Sequence, residues 1–203
     1  YRFNGKVRRA GERTVQLLSV FAADDHRVRI GEQATIANAY AFRAMMRFGD
    51  CGNIVLSAGA LRTRVCYLIR NNFVHADGQL SKVISSSPNA LETNSLALFN
   101  SLSSLLYYCI VEQRVYNRLL RYTASQAACR GTAGAFYNLV RQPFRKAGKI
   151  YRLIKHRKPR YLPALTTIKP PKGHRRRPNQ WTLTVKVYDS GAQNFLIAGP
   201  AHV

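Results

Sequence analysis

The chain has 203 residues and carries 32 Lys plus Arg against 9 Asp plus Glu, a formal charge of +23 at pH 7. At 46% hydrophobic composition it has the apolar content for a core of its own, so it is not a disordered basic tail. Charge of one sign at this density opposes compaction by self-repulsion unless a polyanion neutralises it. That argues against a free-standing metabolic enzyme and for a nucleic-acid partner, with a basic membrane-surface protein as the next option.

In chain order, residues 1–33 open on Arg2, Lys6, Arg8 and Arg9 and continue into an apolar run from Val15 to Ala23. That run fits a short strand or a helix, and Asp24-Asp25 marks the turn after it. The chain begins on Tyr1 rather than Met, which fits an N-terminal piece that was removed or one that lies outside this sequence. Ala34 to Arg47 has helical composition, broken by Gly49 and Gly52. Leu61, Val65, Leu68 and Ile69 fall at i, i+4, i+7 and i+8, which predicts a helix with an apolar stripe, and Arg62, Arg64 and Arg70 lie off that stripe. Phe73 to Ala76 reads as a short strand, Asp77-Gly78 as a turn, Leu80 to Ile84 as a second short helix, and Ser85 to Pro88 as a loop. A long helical stretch follows from Leu91 to Tyr122, with a break expected at its interior Asn and Ser residues. Its most apolar part, Leu96 to Val111, is interrupted by Asn100, Ser101, Ser103 and Ser104 and falls short of the ~20 residues a membrane span needs.

After Glu112 no acidic residue appears until Asp189, and 19 of the 32 basic residues sit in that interval. Within it, Ala135 to Val140, entered by Gly131 and Gly134, fits a strand, as does Ile150 to Lys155. Residues 156–180 form a basic arm with Pro159, Pro163, Pro170, Pro171 and Pro178, incompatible with regular structure. Trp181 to Tyr188 alternates over eight residues and is the clearest strand signal in the chain.

Extended, Pro-rich backbone holds cationic side chains apart and outward, and Arg forks match phosphate oxygens. The arm residues Arg157, Lys158, Arg160, Tyr161, Lys169, Lys172, Arg175, Arg176 and Arg177 are therefore candidate RNA contacts, with Tyr161 able to stack on a base. Arg62, Arg64 and Arg70 on the predicted helix, and Arg141, Arg145, Lys146, Lys149, Arg152 and Lys155 ahead of the arm, complete the set. Catalytic signals are thin. His26 beside Asp24-Asp25 reads as part of a polar turn, and His75 as a packed or RNA-facing imidazole. Arg47 to Gly52 holds two glycines but lacks the Lys-Ser/Thr of a phosphate loop. Cys51, Cys66, Cys109 and Cys129 form no C-x-x-C pair and have no His at ligand spacing, so they read as reduced, buried thiols. No catalytic residue, cofactor, metal site or small-molecule substrate is expected.

The middle of the chain resembles the bacterial-type ribosomal protein seventeen of the large subunit. That family has a basic helix of the form L-R-N-L-x-x-x-L-V-R-H leading into a short strand, matched here by Leu61-Arg62-Thr63-Arg64-Val65-Cys66-Tyr67-Leu68-Ile69-Arg70-Asn71 and Phe73 to Ala76. Its K-L-F helix end and G-G-Y-T-R-I-L segment look like Arg118-Leu119-Leu120 and Gly134 to Val140, with Ala135, Asn138 and Asn71 departing from the pattern. Gly148 to Ile154 is a second placement for the glycine segment. For the first placement the hairpin's return strand is Ile150 to Lys155 or Trp181 to Tyr188; for the second it is Trp181 to Tyr188. The resemblance implies an α+β (α/β) domain: three to four helices packed on a small mixed sheet, with extended basic arms. It divides the chain into an N-terminal extension (1–58), an RNA-binding core (59–155), the arm (156–180) and a closing strand with tail (181–203). It also implies a structural component of the large ribosomal subunit, with ribosomal RNA and neighbouring ribosomal proteins as partners. The N-terminal extension points to a mitochondrial version, in the matrix. The alternative from another class is a nucleocapsid-type protein that coats RNA and self-assembles.

Overall fold

A computed structural model describes residues 2–10, 13–48, 54–56, 59–124, 131–143 and 145–165. Strands β1 (Arg2–Ala10) and β2 (Arg13–Phe21) form one antiparallel ladder, from Arg2 opposite Phe21 to Ala10 opposite Arg13. Helix α1 (Glu32–Phe42) precedes a second, three-residue antiparallel ladder of β3 (Met46–Phe48) and β4 (Ile54–Leu56). Six more helices follow: α2 (Ala60–Asn71), α3 (Lys82–Ser85), α4 (Ser95–Val111), α5 (Gln113–Thr123), α6 (Thr132–Arg141) and α7 (Ala147–Tyr151).

Helix α1 is the hub. Eight of its eleven residues are buried, four of them alanines, so α2, α4, α6 and β2 all pack closely around it. A helix covered on all sides has no polar face to display, and α1 shows no amphipathic pattern. The larger core cluster joins Ile36 and Ala37 of α1 to Phe99, Leu105 and Leu106 of α4, Leu119 of α5 and Phe136 of α6. Tyr40 stacks on Phe73, and Phe73 in turn meets Phe99, each pair 5.5 Å between ring centroids. The core thus runs continuously across the expected boundary at residue 58.

The expected mixed sheet is not formed among the described residues, and side chains explain why. The edge of β2 facing away from β1 exposes the backbone of Gln16, Leu18 and Val20. Thr132 Oγ1 accepts from Gln16 N (2.7 Å) and donates to Gln16 O (2.9 Å). Thr35 Oγ1 accepts from Leu18 N (2.9 Å), and Asn38 Nδ2 donates to Leu18 O (3.3 Å). Arg70 Nη2 donates to Val20 O at 2.6 Å. Helix side chains take the positions a third strand would occupy, which closes the edge against further pairing.

Four expectations along the chain are corrected. Ala135 to Val140 is helical, within α6, a helix eight of whose ten residues are buried, so its apolar run is that of a helix covered nearly all round. Ile150 to Lys155 is the end of α7 and a run of turns, in which Ile150 and Leu153, one helical turn apart, are the buried pair. The break in the long helical stretch falls at Glu112, whose extended backbone separates α4 from α5, while Asn100, Ser101, Ser103 and Ser104 lie buried inside α4.

The last correction concerns α2. Three of the four stripe residues face outward, with Leu61 75% exposed, Val65 46% and Leu68 55%, while Ile69 packs against the core and Arg70 is fully buried. The Arg70 guanidinium bridges two segments, donating to Val20 O and, at 2.9 Å, to Val74 O. It also lies 4.8 Å from the centroid of the Tyr67 ring, whose hydroxyl donates to Asp25. Burial pulls the Arg70 guanidinium below its ordinary pKa, with Tyr67 and Asp25 acting in the opposite sense.

Among the other short elements, Leu80 to Ile84 supplies α3, Phe73 to Ala76 forms a single bridge and not a strand, and the helix expected over Ala34 to Arg47 stops at Phe42, with Met46–Phe48 in β3. The Val15 to Ala23 run, open between strand and helix, supplies β2. Val74 bridges Leu80, and Gly78 makes the turn between them with φ +86°, where a Cβ would lie 2.5 Å from the Arg29 side chain. Trp181 to Tyr188 lies outside the described residues. No helix among the described residues is long and apolar enough to cross a membrane.

Candidate nucleic-acid interface

Helix α5 is the most regular amphipathic element of the chain. Val115, Tyr116, Leu119 and Thr123 are buried against the core, which leaves Arg114, Arg118 and Arg121 on the opposite side at i, i+4 and i+7. Gly134 and Ala135 in the neighbouring α6 let that helix pack closely, and Arg141 at its end stands over the Tyr137 ring at 5.4 Å. The chain then reaches Lys146, which adopts the left-handed conformation (φ 56°) and starts α7. Its carbonyl accepts from Lys149 N (2.8 Å) and Ile150 N (3.0 Å), fixing the one-turn helix whose buried Ile150 and Leu153 hold it to the core.

Between α5 and α7 lies a groove of about 470 Å³. Arg118 and Arg121 form one wall, Lys146, Lys149 and Arg152 the other, and Tyr122 and Leu153 complete the lining. Arg121 stands over the Tyr122 ring at 5.5 Å, a cation–π contact that holds the guanidinium at the rim. Among the described residues no carboxylate lines the groove. Five cations facing one space repel one another, and an anion seated between them removes that cost. Sequence reasoning named Lys146, Lys149 and Arg152 but missed Arg118 and Arg121. The available signal was their i, i+3 spacing opposite an apolar stripe, in the acid-free interval after Glu112.

The remaining expected contacts divide three ways. Arg62, Arg64, Arg141, Arg145, Lys155 and Lys158 are exposed and available to a polyanion. Arg70 is not: it is a core residue, and its place among the RNA contacts is withdrawn. Arg157, Arg160 and Tyr161 belong to a segment, 156–165, that is docked on α4 instead of projecting as an arm. Arg160 N and Tyr161 N both donate to Ser104 Oγ at 3.2 Å, and Leu165 N donates to Ser101 Oγ at 2.9 Å. The buried Ser101 and Ser104 of α4 are thus receptors for this segment's backbone.

Side chains reinforce the docking. Arg157 forms a two-pronged pair with Glu112, Nε to Oε1 at 2.9 Å and Nη2 to Oε2 at 2.5 Å, which holds the Glu112 carboxyl below its ordinary pKa. Tyr161 donates to Glu32 at 3.0 Å; burial, ahead of that carboxylate, pushes its hydroxyl pKa up. The Tyr108 hydroxyl donates to Lys158 O, and Arg160 lies 4.4 Å from the Tyr107 ring centroid. The Tyr161 hydroxyl is therefore engaged with Glu32, and the Arg160 guanidinium lies 5.9 Å from its ring centroid. Lys169, Lys172, Arg175, Arg176 and Arg177 lie outside the described residues.

Of the histidines weighed for catalysis, His26 and His75 are exposed. Asp25 next to His26 is tied into the turn, accepting from Ala22 N at 2.7 Å and from Tyr67. Cys66 and Cys109 are buried free thiols, and burial pushes both pKa values up; Cys51 and Cys129 lie outside the described residues. No cluster of three His, Cys, Asp or Glu that would hold a metal ion occurs among the described residues. No protein-family model matches the chain, and no curated protein or solved structure matches it either.

Proposed function

We propose that the protein is an architectural RNA-binding component of a ribonucleoprotein, seated on the RNA of the large subunit of a mitochondrial ribosome beside neighbouring ribosomal proteins. The observation that carries the RNA reading is the groove between α5 and α7, walled by five cations on two elements fixed by core packing. Exposed Arg62 and Arg64 add charge on α2, and the basic residues after Leu165 add more. Such contacts position a protein on RNA and tie RNA segments together through phosphates, without catalysis. The ribosomal host rests on the resemblance of residues 61–76 to the large-subunit family, and the mitochondrial one on the residues that precede that run. The helical state of residues 132–141 departs from the hairpin that resemblance implies, so the weight falls on the earlier run.

The test is co-sedimentation of the tagged chain in an extract of its own mitochondria. The expected result is comigration with large ribosomal subunits at high magnesium and release at high salt. A chain that stays in the free fractions overturns the ribosomal reading.

A second reading, a nucleocapsid-type protein, is favoured by one observation: the outward stripe Leu61, Val65 and Leu68 offers an apolar surface for self-association. Analytical ultracentrifugation with a long RNA separates the two. Particles holding many copies support coating, and one copy per RNA sinks it.

A further inference from the structure

We infer that the groove between α5 and α7 takes a run of three or more closely spaced phosphates, and takes them without regard to the bases they carry. The inference rests on the RNA-binding reading for its natural occupant and deepens it to the chemistry of one site. Three features of the groove lead to it.

The first is charge. Arg118 and Arg121 face Lys146, Lys149 and Arg152 across a single groove of about 470 Å³. A lone phosphodiester carries one negative charge and leaves most of the mutual repulsion in place. A run of phosphates removes it, and each one neutralised releases counterions to solvent. The second is hydrogen-bonding capacity. Guanidinium and ammonium groups donate and never accept, so the five cations offer no partner for the amino groups of adenine or cytosine. They can donate to base acceptors such as guanine O6 and N7, but these are neutral, and only charged phosphate oxygens relieve the repulsion among the cations. The groove contains no side-chain amide or carboxylate among the described residues, and Tyr122 contributes its one hydroxyl. The third is stacking. The only aromatic side chain among the described lining residues, Tyr122, is half-buried and already lies under the Arg121 guanidinium, so none of the described residues there offers a free ring to a base. Phosphate oxygens, which only accept, are the complement of such a surface.

A run of phosphates comes from two sources, an RNA backbone or a soluble oligophosphate, and the groove's chemistry is the same for both. The experiment uses the full-length chain, inorganic tripolyphosphate, orthophosphate, and 20-residue oligo(U), oligo(A) and oligo(C), with binding read by calorimetry and fluorescence anisotropy. Tripolyphosphate should bind at least tenfold more tightly than orthophosphate and should displace labelled oligo(U). The Arg121→Ala, Lys149→Ala double variant should lose tripolyphosphate binding by tenfold or more and weaken all three oligonucleotides by one common factor. Both residues are exposed, so the fold should persist, as circular dichroism will check, and the charge-conserving pair Arg121→Lys, Lys149→Arg should retain most of the affinity. Tripolyphosphate affinity unchanged in the alanine variant overturns the inference even where RNA binding persists, since RNA is then held elsewhere. A loss falling on one homopolymer alone also overturns it, by showing that bases are read. A wild-type chain that binds tripolyphosphate through these residues but binds no RNA upholds the inference with a soluble occupant and overturns the RNA reading instead.

Discussion

In α2 the arginine at position 70 is buried while Leu61, Val65 and Leu68 face outward; in α5 Val115, Tyr116 and Leu119 are buried while Arg114 and Arg121 are exposed and Arg118 is partly so. Both helices are basic and both carry an apolar stripe at helical spacing. The difference lies in what each helix packs against. Helix α5 meets the large core cluster, in which Leu119 is fully buried with Val115 and Tyr116. Helix α2 packs on α1 with Cys66 beside Ala41 and Phe42, and its Arg70 reaches the outer edge of β2 and the turn after the helix, where the carbonyls of Val20 and Val74 take its donors. A buried carbonyl without a donor costs roughly 1–3 kcal/mol, so a guanidinium that satisfies two of them competes with the burial of a leucine, at about 1.5–3 kcal/mol. Periodicity locates a stripe. The unpaired groups of the neighbouring backbone decide which way it faces.

The largest effect that tests this contrast is on packing. Leu119→Ala should destabilise the protein by about 3–4 kcal/mol, because the residue is fully buried among side chains that cannot close over the cavity. Leu68→Ala, the same chemical change on α2, should stay within about 0.5 kcal/mol, as expected for a surface site. Urea denaturation of the two variants measures both, and equal losses would remove the contrast altogether.

Next in size is Arg70→Met, which keeps apolar volume but leaves the Val20 and Val74 carbonyls without their donor. A loss of about 2–3 kcal/mol is expected, with the salt dependence of RNA binding unchanged. The double variant Arg62→Ala, Arg64→Ala should behave in the opposite way, holding stability within about 0.5 kcal/mol while flattening the salt slope. If Arg70→Met flattened that slope at full stability, Arg70 would be an RNA contact after all.

These contrasts also mark what the sequence made legible. The existence of α1, α2, the α4–α5 stretch and the turn at Asp77-Gly78 followed from composition, spacing and glycine, all local properties. The direction of α2 did not, because it depends on β2, some fifty residues away in sequence. The helical state of α6 did not follow either, because its apolar run is that of a helix covered nearly all round, and Gly131 and Gly134 drew attention to a strand boundary. Gly131, at φ 122°, does stand at an element's edge, yet the element is a helix. The serines of α4 looked like weak points in a helix, yet Ser101 and Ser104 are receptors for the backbone of residues 160–165, a role visible only once both segments are placed. Half of the groove was legible as well: the cations of α7 stood out in a dense basic run, whereas Arg118 and Arg121 were diluted by the apolar residues between them.

The smallest of the expected effects concerns Glu112, the residue that ends α4, begins α5 and so lets α5 take its own orientation. Its pair with Arg157 is partly exposed, the two side chains retaining 29% and 37% of their accessible surface, so solvent screening limits its contribution to about 0.5–1 kcal/mol. The hydrogen bonds from Arg157 hold the folded-state pKa of Glu112 below its unfolded value of about 4.3. The stabilisation is therefore complete above that value and lost as pH falls through the lower, folded-state one. Glu112→Gln should lower stability modestly at pH 7, and the gap between variant and wild type should close on acidification below about pH 4. Local opening gives a second readout. With the pair broken, residues 156–165 should lift from α4 more often, and trypsin should cut after Arg160 faster in the variant than in the wild type. Because Ser101, Ser104 and Glu32 still hold the segment, cleavage should rise without global unfolding. A variant cut no faster than wild type would mean that the serine contacts alone dock the segment.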